Sequence, residues 1–386
     1  MDNVEQKNVD NLRKRIVFLI PSLEFGGGAE RIASILSHML SKYYEIIVIT
    51  FYDTTESYNC SGTHIKLLPK ATIFNKLRLP FLIFKILKRI SPHLIISFID
   101  YANSLTILTQ IVFGMNTPLF ICNHTNPLSH YQKSDRYLNS IIPILYSSKK
   151  VTKIITIADH IKEVLVNSYG INHKIIKTIY NGIDLNEIKT LKTQEIKNTL
   201  HRSLLENKEY VKFISMGRLI EIKGHKYLIS AFAQVKKEIP NSALFILGDG
   251  PLNTSLKEFA VQKKVDKEIY FLGLKKNPYK YLAHADIFVL PSLIEGLPMS
   301  IIEAMACELP IIATKCKSGI EEIVEEGTYG ILVPPKDSSS LAKKMILLSK
   351  DKSLRDTYSE LSLKRANYFD IHKVLEKWIR TIENNI

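Results

Sequence analysis

The chain has 386 residues, of which 46% are hydrophobic and 23% charged, and it carries a net charge of +14. That composition excludes a disordered or fibrous chain, and the length suits two or three domains at roughly 150 residues each. The basic excess points toward polyanionic partners: nucleic acid, an anionic membrane surface or phosphorylated substrates.

Short runs rich in Ile and Val recur along the chain, separated by helix-length segments. They predict strands over 16–21, 45–51, 94–99, 119–124, 153–158 and 175–180 in the first half. The second half repeats the pattern over 211–217, 243–248, 269–273, 287–291, 310–314 and 330–333. Runs that are apolar on both faces suit parallel strands covered by helices on each side. The alternation, twice over, predicts an α/β chain of two doubly wound domains. The turn-forming cluster Asn181-Gly182-Ile183-Asp184 places the boundary near residue 180, giving domains over 1–180 and 181–369. A final helix over 370–386 carries Ile371, Val374, Leu375, Trp378, Ile379 and Ile382 at helical spacing.

The four cysteines, Cys60, Cys122, Cys307 and Cys316, form no CxxC pair, and no secretory signal opens the chain. Reduced thiols in a cytosolic protein are expected. No stretch reaches the roughly 18 uncharged apolar residues that span a bilayer, so the expected protein is soluble or peripheral.

After the first strand comes Leu23-Glu24-Phe25-Gly26-Gly27-Gly28-Ala29-Glu30-Arg31, then a helical pattern. Glycines there let backbone approach a ligand, and a helix N-terminus offers amides to an anion; a plain tight turn would look the same. The spacing is neither GxGxxG nor GxxxxGK[ST], which disfavours a nicotinamide dinucleotide and a phosphate loop.

The strand over 287–291 leads into Ser292-Leu293-Ile294-Glu295-Gly296-Leu297-Pro298-Met299-Ser300-Ile301-Ile302-Glu303. Glu295 falls on the loop and Glu303 inside the following helix, so both carboxylates can face the crevice at the strands' carboxyl ends. Carboxylates accept bidentately from vicinal sugar hydroxyls, and amides near Met299 and Ser300 can hold a phosphate or a hydroxyl. The plain alternative is two acidic residues stabilising a helix N-terminus. Arg218 and Lys223 lie in Gly217-Arg218-Leu219-Ile220-Glu221-Ile222-Lys223-Gly224-His225, again after a strand. Two cations on one loop either neutralise a diphosphate or form a solvated basic surface. No Asp-x-Asp and no metal-spaced His/Asp/Glu cluster appears, so no metal and no cofactor is required.

Together these segments, with Gly248-Asp249-Gly250-Pro251, resemble the retaining glycosyltransferases of family 4, over nearly the whole chain from about Ile16. The resemblance implies a GT-B fold, two Rossmann-like domains facing a cleft, with the final helix packing back on the first, acceptor-binding domain. It implies a UDP-sugar as donor substrate. Glu303 would hold the ribose and Glu295 the donor sugar, with Gly296, Leu297, Met299 and Ser300 beside them. Arg218 and Lys223 would hold the diphosphate, Phe271, Leu272 and Gly273 would contact the base, and Gly27 and Gly28 would lie near the donor. His124, in Cys122-Asn123-His124-Thr125-Asn126, matches a sugar-contacting position, so Glu295, His124, Arg218 and Lys223 form the expected catalytic set. A nearer likeness, through Lys76–Leu82, Asn277–Leu282, Ala306-Cys307 and Lys317-Ser318-Gly319, is to bacterial transferases of N-acetylgalactosamine that act on undecaprenyl-diphosphate-linked glycans. It implies a lipid-linked glycan acceptor and a role in bacterial surface polysaccharide or glycoprotein glycan assembly. Another hexose donor, for lipopolysaccharide or capsule, and a UDP-sugar epimerase of the same fold remain the alternatives.

Between Glu56 and Asp100 there is no acidic residue, while Lys66, Lys70, Lys76, Arg78, Lys85, Lys88 and Arg89 fall inside the interval. Within it, 80–90 begins with a proline suited to a helix start and mixes cations with large apolar groups. A basic amphipathic helix of that kind can lie on an anionic membrane surface, through Lys85, Lys88 and Arg89, which places the protein at the inner face of the plasma membrane. No nucleic-acid partner is expected: neither aromatic–basic motifs nor a zinc or helix-turn-helix signature accompanies the charge.

Overall fold

The computed structural model describes residues 13–25, 27–124, 136–316 and 318–386. Of the motif residues above, Gly26, Thr125, Asn126 and Lys317 lie outside them. The chain folds into two compact units. One runs to Cys122 and takes in Ser140–Ile155 and Ile379–Ile386; the other holds Thr156–Trp378 with the segment at Asn123 and His124.

The first sheet contains β1 (Arg15–Ile20), β2 (Glu45–Tyr52), β3 (Thr63–Leu68), β4 (Leu94–Phe98), β5 (Leu119–Asn123), β6 (Lys153–Thr156) and β7 (Ile176–Thr178). Its order is β3-β2-β1-β4-β5-β6-β7. The second contains β8 (Val211–Met216), β9 (Ser242–Leu247), β10 (Ile269–Gly273), β11 (Ile287–Leu290), β12 (Ile311–Thr314) and β13 (Ile331–Val333), in the order β10-β9-β8-β11-β12-β13. Each predicted run becomes a strand, with ends within two residues of the expected ones. β3 was not expected. It neighbours only β2, and its Thr63, His64 and Lys66 interrupt the apolar run because an edge strand is half exposed.

In both sheets the strand order reverses at one point, between β1 and β4 and between β8 and β11. Loops leaving the carboxyl ends there run in opposite directions and open a crevice, the place where such sheets take ligands. Around the second sheet Phe213, Leu228, Phe232, Ile246 and Met345 are buried in one core. Truncating Phe232 to alanine should cost about 3–5 kcal/mol. The cluster at 181–184 has a packing reason: a Cβ on Gly182 would stand 2.9 Å from the Ile371 Cα. Ile183 bonds the Phe369 carbonyl at 2.9 Å, and Asp184 caps the next helix through the Glu187 amide at 2.8 Å.

The first unit includes the helices α1 (Gly28–Leu40), α2 (Ile73–Ile90) and α3 (Asp100–Val112). α2 corrects one expectation. It begins at Ile73, where the Thr72 hydroxyl accepts the Asn75 amide at 3.3 Å, and Pro80 lies inside the helix. The threonine cap and the preceding apolar turn start the helix before the proline is reached.

Candidate functional site

The loops that leave β8 and β11 carry Arg218, Lys223 and Glu295. Gly224, with φ +66°, turns the chain after Lys223 into the helix His225–Glu238. A Cβ there would stand 2.1 Å from the Pro291 carbonyl, so only glycine lets this loop close on the end of β11. The Leu293 amide then donates to the Ile222 carbonyl at 2.7 Å and joins the two loops.

That closure brings Lys223 and Glu295 together. Lys223 Nζ lies 2.6 Å from Glu295 Oε1, and the Ser292 hydroxyl donates to the same oxygen at 2.7 Å. Glu295 is buried, and Arg218 on the same loop as Lys223 is exposed. The site thus holds one anchored carboxylate, one paired cation and one solvated cation at the carboxyl ends of β8 and β11. Gly296 is confined as well: its carbonyl accepts the Gly319 amide at 2.7 Å, and a Cβ on it would meet the His124 carbonyl at 2.7 Å. His124 at the end of β5 therefore stands against the Glu295 loop through its backbone.

Pro298 is the N-cap of the helix Met299–Ala306. Met299 and Ser300 open that helix as expected, and Leu297 is buried beside it. Glu303 is 2% exposed and accepts the Tyr279 hydroxyl at 3.1 Å. Phe271, Leu272 and Gly273 end β10, where Gly273 (φ +73°) accepts the Gly248 amide at 3.0 Å.

Three neighbouring residues were given no role in the sequence analysis: Ser292, Tyr279 and His225. The first two hold Glu295 and Glu303. His225 follows Gly224 into the core, 3% exposed, with neither ring nitrogen hydrogen-bonded. Burial, helped by the nearby Lys223 charge, pushes its pKa down to about 4. None of the three has a sequence signal of its own, since each acts through a contact made by folding.

In the other unit, Gly27 is the N-cap of α1 and Gly28 its first residue, at the carboxyl end of β1. The Glu30 carboxylate folds over Gly27, 2.1 Å from where a Cβ would stand. Lys85, Lys88 and Arg89 are exposed on α2 while Leu79, Ile83 and Leu87 are buried, so the amphipathic division predicted there is real. All four cysteines are free. Among the described residues, no three His, Cys, Asp or Glu side chains group to hold a metal ion, and no helix is long and apolar enough to cross a membrane.

Residues 25–187 match the family described as Glycosyltransferase Family 4, and residues 196–365 match Glycosyl transferases group 1. The chain is 30% identical to an uncharacterised glycosyltransferase of Methanocaldococcus jannaschii, covering 90% of this chain and 95% of the relative. It is 31% identical to the N-acetylgalactosamine-N,N'-diacetylbacillosaminyl-diphospho-undecaprenol 4-alpha-N-acetylgalactosaminyltransferase of Campylobacter jejuni, covering 90% of this chain and 94% of that one. Among solved structures, Anabaena HepE in complex with UDP and glucose superposes with a TM-score of 0.81 at 21% identity, covering 96% of this chain and all of HepE. At that identity the likeness speaks for the fold, which is that of GT-B proteins.

Proposed function

Since the chain belongs to the family 4 glycosyltransferases, enzymes of GT-B fold, we propose that it transfers N-acetylgalactosamine from its UDP-sugar to a lipid-linked glycan with retention of configuration. The observation that carries this reading is the Lys223–Glu295–Ser292 cluster beside Arg218, at the crevice between β8 and β11. The choice of sugar and acceptor is supported by the Campylobacter relative's named activity.

In this reading Arg218 and Lys223 bind the diphosphate, and Glu295 accepts from hydroxyls of the donor sugar. Glu303, held by Tyr279, accepts from the ribose hydroxyls, the backbone at 271–273 meets the base, and His124 contacts the sugar. The bond between the anomeric carbon and the diphosphate oxygen breaks as the acceptor hydroxyl attacks from the same face. The hydroxyl proton passes to the departing oxygen. Arg218, Lys223 and the amides of Met299 and Ser300 stabilise the charge that collects on the leaving group. Two cations and a helix N-terminus suffice for that charge, so the reaction proceeds without a metal, and EDTA leaves its rate unchanged.

A lipid-linked acceptor calls for contact with an anionic membrane, at the inner face of the plasma membrane. α2 supplies it. Ile73, Phe74 and Leu77 are 75%, 78% and 77% exposed on its first turns, between Lys70, Lys76 and Arg78, with Lys85, Lys88 and Arg89 further along. Apolar groups of this size seat in the headgroup region while the cations meet anionic lipid.

The test is proton NMR of the product formed from UDP-N-acetylgalactosamine and a short-chain polyprenyl-diphosphate N-acetylhexosamine. An α-anomeric product supports the reading. A β product overturns retention, and product only from another UDP-hexose overturns the choice of sugar.

A further inference from the structure

The second unit holds a further carboxylate, outside the residues proposed to bind the donor. Glu322 lies on the helix Gly319–Val324, which follows β12. Its Oε2 accepts the Asp159 amide at 2.7 Å and its Oε1 the His160 amide at 2.8 Å. These are the first amides of the helix Asp159–Asn167, where N–H groups lack partners within the helix and negative charge is favoured. The Tyr180 hydroxyl adds a bond to Oε2 at 2.8 Å, and His160 Nδ1 lies 3.3 Å from Oε1. Burial opposes the charge, yet these bonds hold the Glu322 pKa below the ordinary carboxylate value.

The backbone of the same helix is anchored as well. Arg365 Nη2 donates to the Glu322 carbonyl at 2.6 Å and its Nε to the Ile323 carbonyl at 2.8 Å. One turn before Glu322, the Gly319 amide donates to the Gly296 carbonyl at 2.7 Å. That contact has no slack. A Cβ on Gly319 would stand 2.6 Å from the Gly296 carbonyl oxygen, and one on Gly296 would stand 2.7 Å from the His124 carbonyl oxygen. Gly296 is thus wedged between the start of this helix and His124, and Glu295 is its neighbour in the chain. A helix of 6 residues does not persist on its own in water, so its place comes from contacts with its surroundings.

We propose that Glu322 is a positioning residue for transfer: it seats the helix Gly319–Val324 on the first turn of the helix Asp159–Asn167, fixes Gly319 against Gly296, and so fixes the loop that carries Glu295. The role of Glu295 comes from the transferase reading, on which this inference rests; the link from Glu322 to Gly296 stands on the contacts alone. Arg218 lies on the loop after β8, and Glu303 is held by Tyr279 at 3.1 Å. UDP therefore keeps its contacts when the Glu295 loop shifts, and the sugar loses its own.

The test combines UDP calorimetry, turnover of UDP-N-acetylgalactosamine with short-chain polyprenyl-diphosphate N-acetylhexosamine, and hydrogen exchange over 318–324, all on the full chain. Glu322→Ala should lower kcat by about tenfold or more and leave UDP affinity within about twofold of the parent. Exchange over 318–324 should speed up in that variant, while exchange in β8 and β9 stays as in the parent. Glu322→Gln keeps one oxygen for the His160 amide but turns an amide nitrogen toward that of Asp159. It should fall between the parent and Glu322→Ala in both kcat and exchange, and it serves where the alanine variant is too unstable to assay. A residue needed for stability alone would lower turnover and the number of UDP sites together. Turnover that stays at the parent value, UDP sites lost in step with turnover, or exchange over 318–324 as slow as in the parent would each overturn the proposal. A parent that releases no UDP from any UDP-sugar overturns the transferase reading instead, and the exchange comparison then decides the link from Glu322 to Gly296 by itself.

Discussion

Lys223 Nζ lies 2.6 Å from Glu295 Oε1, so the cation proposed for the diphosphate and the carboxylate proposed for the sugar are each other's partners. The pair forms because Gly224 lets its loop close on Pro291, and Ser292 adds a hydrogen bond to the same oxygen. Donor binding on this account exchanges partners: the diphosphate takes Lys223, and sugar hydroxyls take over at Glu295. The pair keeps both side chains oriented until then.

Lys223→Ala should therefore lower stability as well as turnover, because it strands a buried carboxylate. Breaking such a pair costs about 3 kcal/mol or more, whereas removing both partners costs much less. Urea unfolding of Lys223→Ala, Glu295→Ala and the double variant checks this. The double variant should recover most of the stability and none of the activity; additive losses would show that the pair is not coupled.

Glu303→Ala should chiefly weaken UDP binding, and Tyr279→Phe should do so less strongly, since it frees the carboxylate without deleting it. Hydrogen bonds to charged groups contribute about 2 kcal/mol, or some thirtyfold in affinity. Glu295→Ala should leave UDP affinity near the parent value and impair transfer. Calorimetric titration of UDP separates the three. Equal affinity in Glu303→Ala and the parent removes the ribose role.

Stability should fall with acid through His225. Its pKa is about 4 in the folded chain against an ordinary 6.5, so the unfolded chain binds the extra proton between those values. The stabilising contribution is complete above pH 6.5 and is lost as the pH drops toward 4. From pH 7 to pH 5 the loss should be about 2 kcal/mol. His225→Gln should flatten this part of the profile in urea unfolding; an unchanged slope assigns the acid sensitivity to other groups.

Much of this was legible beforehand for a physical reason. Strands buried on both faces write themselves as apolar runs, and turns at strand ends show their glycines, so both sheets, the Arg218–Lys223 and Glu295 loops and the helix that carries Glu303 could be placed. β3 escaped because an edge strand needs only one apolar face, and its Thr63, His64 and Lys66 read as loop. Pro80 misled because a proline looks like a helix start, although Thr72 caps α2 eight residues earlier. Tyr279 and Glu303, or Tyr52 and Tyr101, meet only once the chain has folded, and neither spacing announces the contact.

Membrane contact through α2 should need both its charges and its exposed apolar turn. Changing Lys85, Lys88 and Arg89 to Gln should remove about 1 kcal/mol per charge from binding to phosphatidylglycerol vesicles, diminished by salt. Phe74→Ser with Leu77→Ser should weaken binding in a salt-independent way. Sedimentation across a salt series distinguishes the two, and transfer to a short-chain acceptor should survive in both. Vesicle binding unchanged in both variants returns α2 to a packed helix with a solvated face.

The central claim is that UDP leaves a sugar at the Arg218–Lys223 loop and that a lipid-linked acceptor receives it. The most direct measurement is UDP release from a panel of UDP-sugars, with and without short-chain polyprenyl-diphosphate N-acetylhexosamine, in the parent and in Arg218→Ala. Arg218 is exposed, so its loss should leave the fold intact while raising the barrier by about 2–4 kcal/mol. The account predicts acceptor-dependent UDP release, fastest with UDP-N-acetylgalactosamine and lower by a hundredfold or so in Arg218→Ala. UDP release that ignores the acceptor, or full activity in Arg218→Ala, would contradict it.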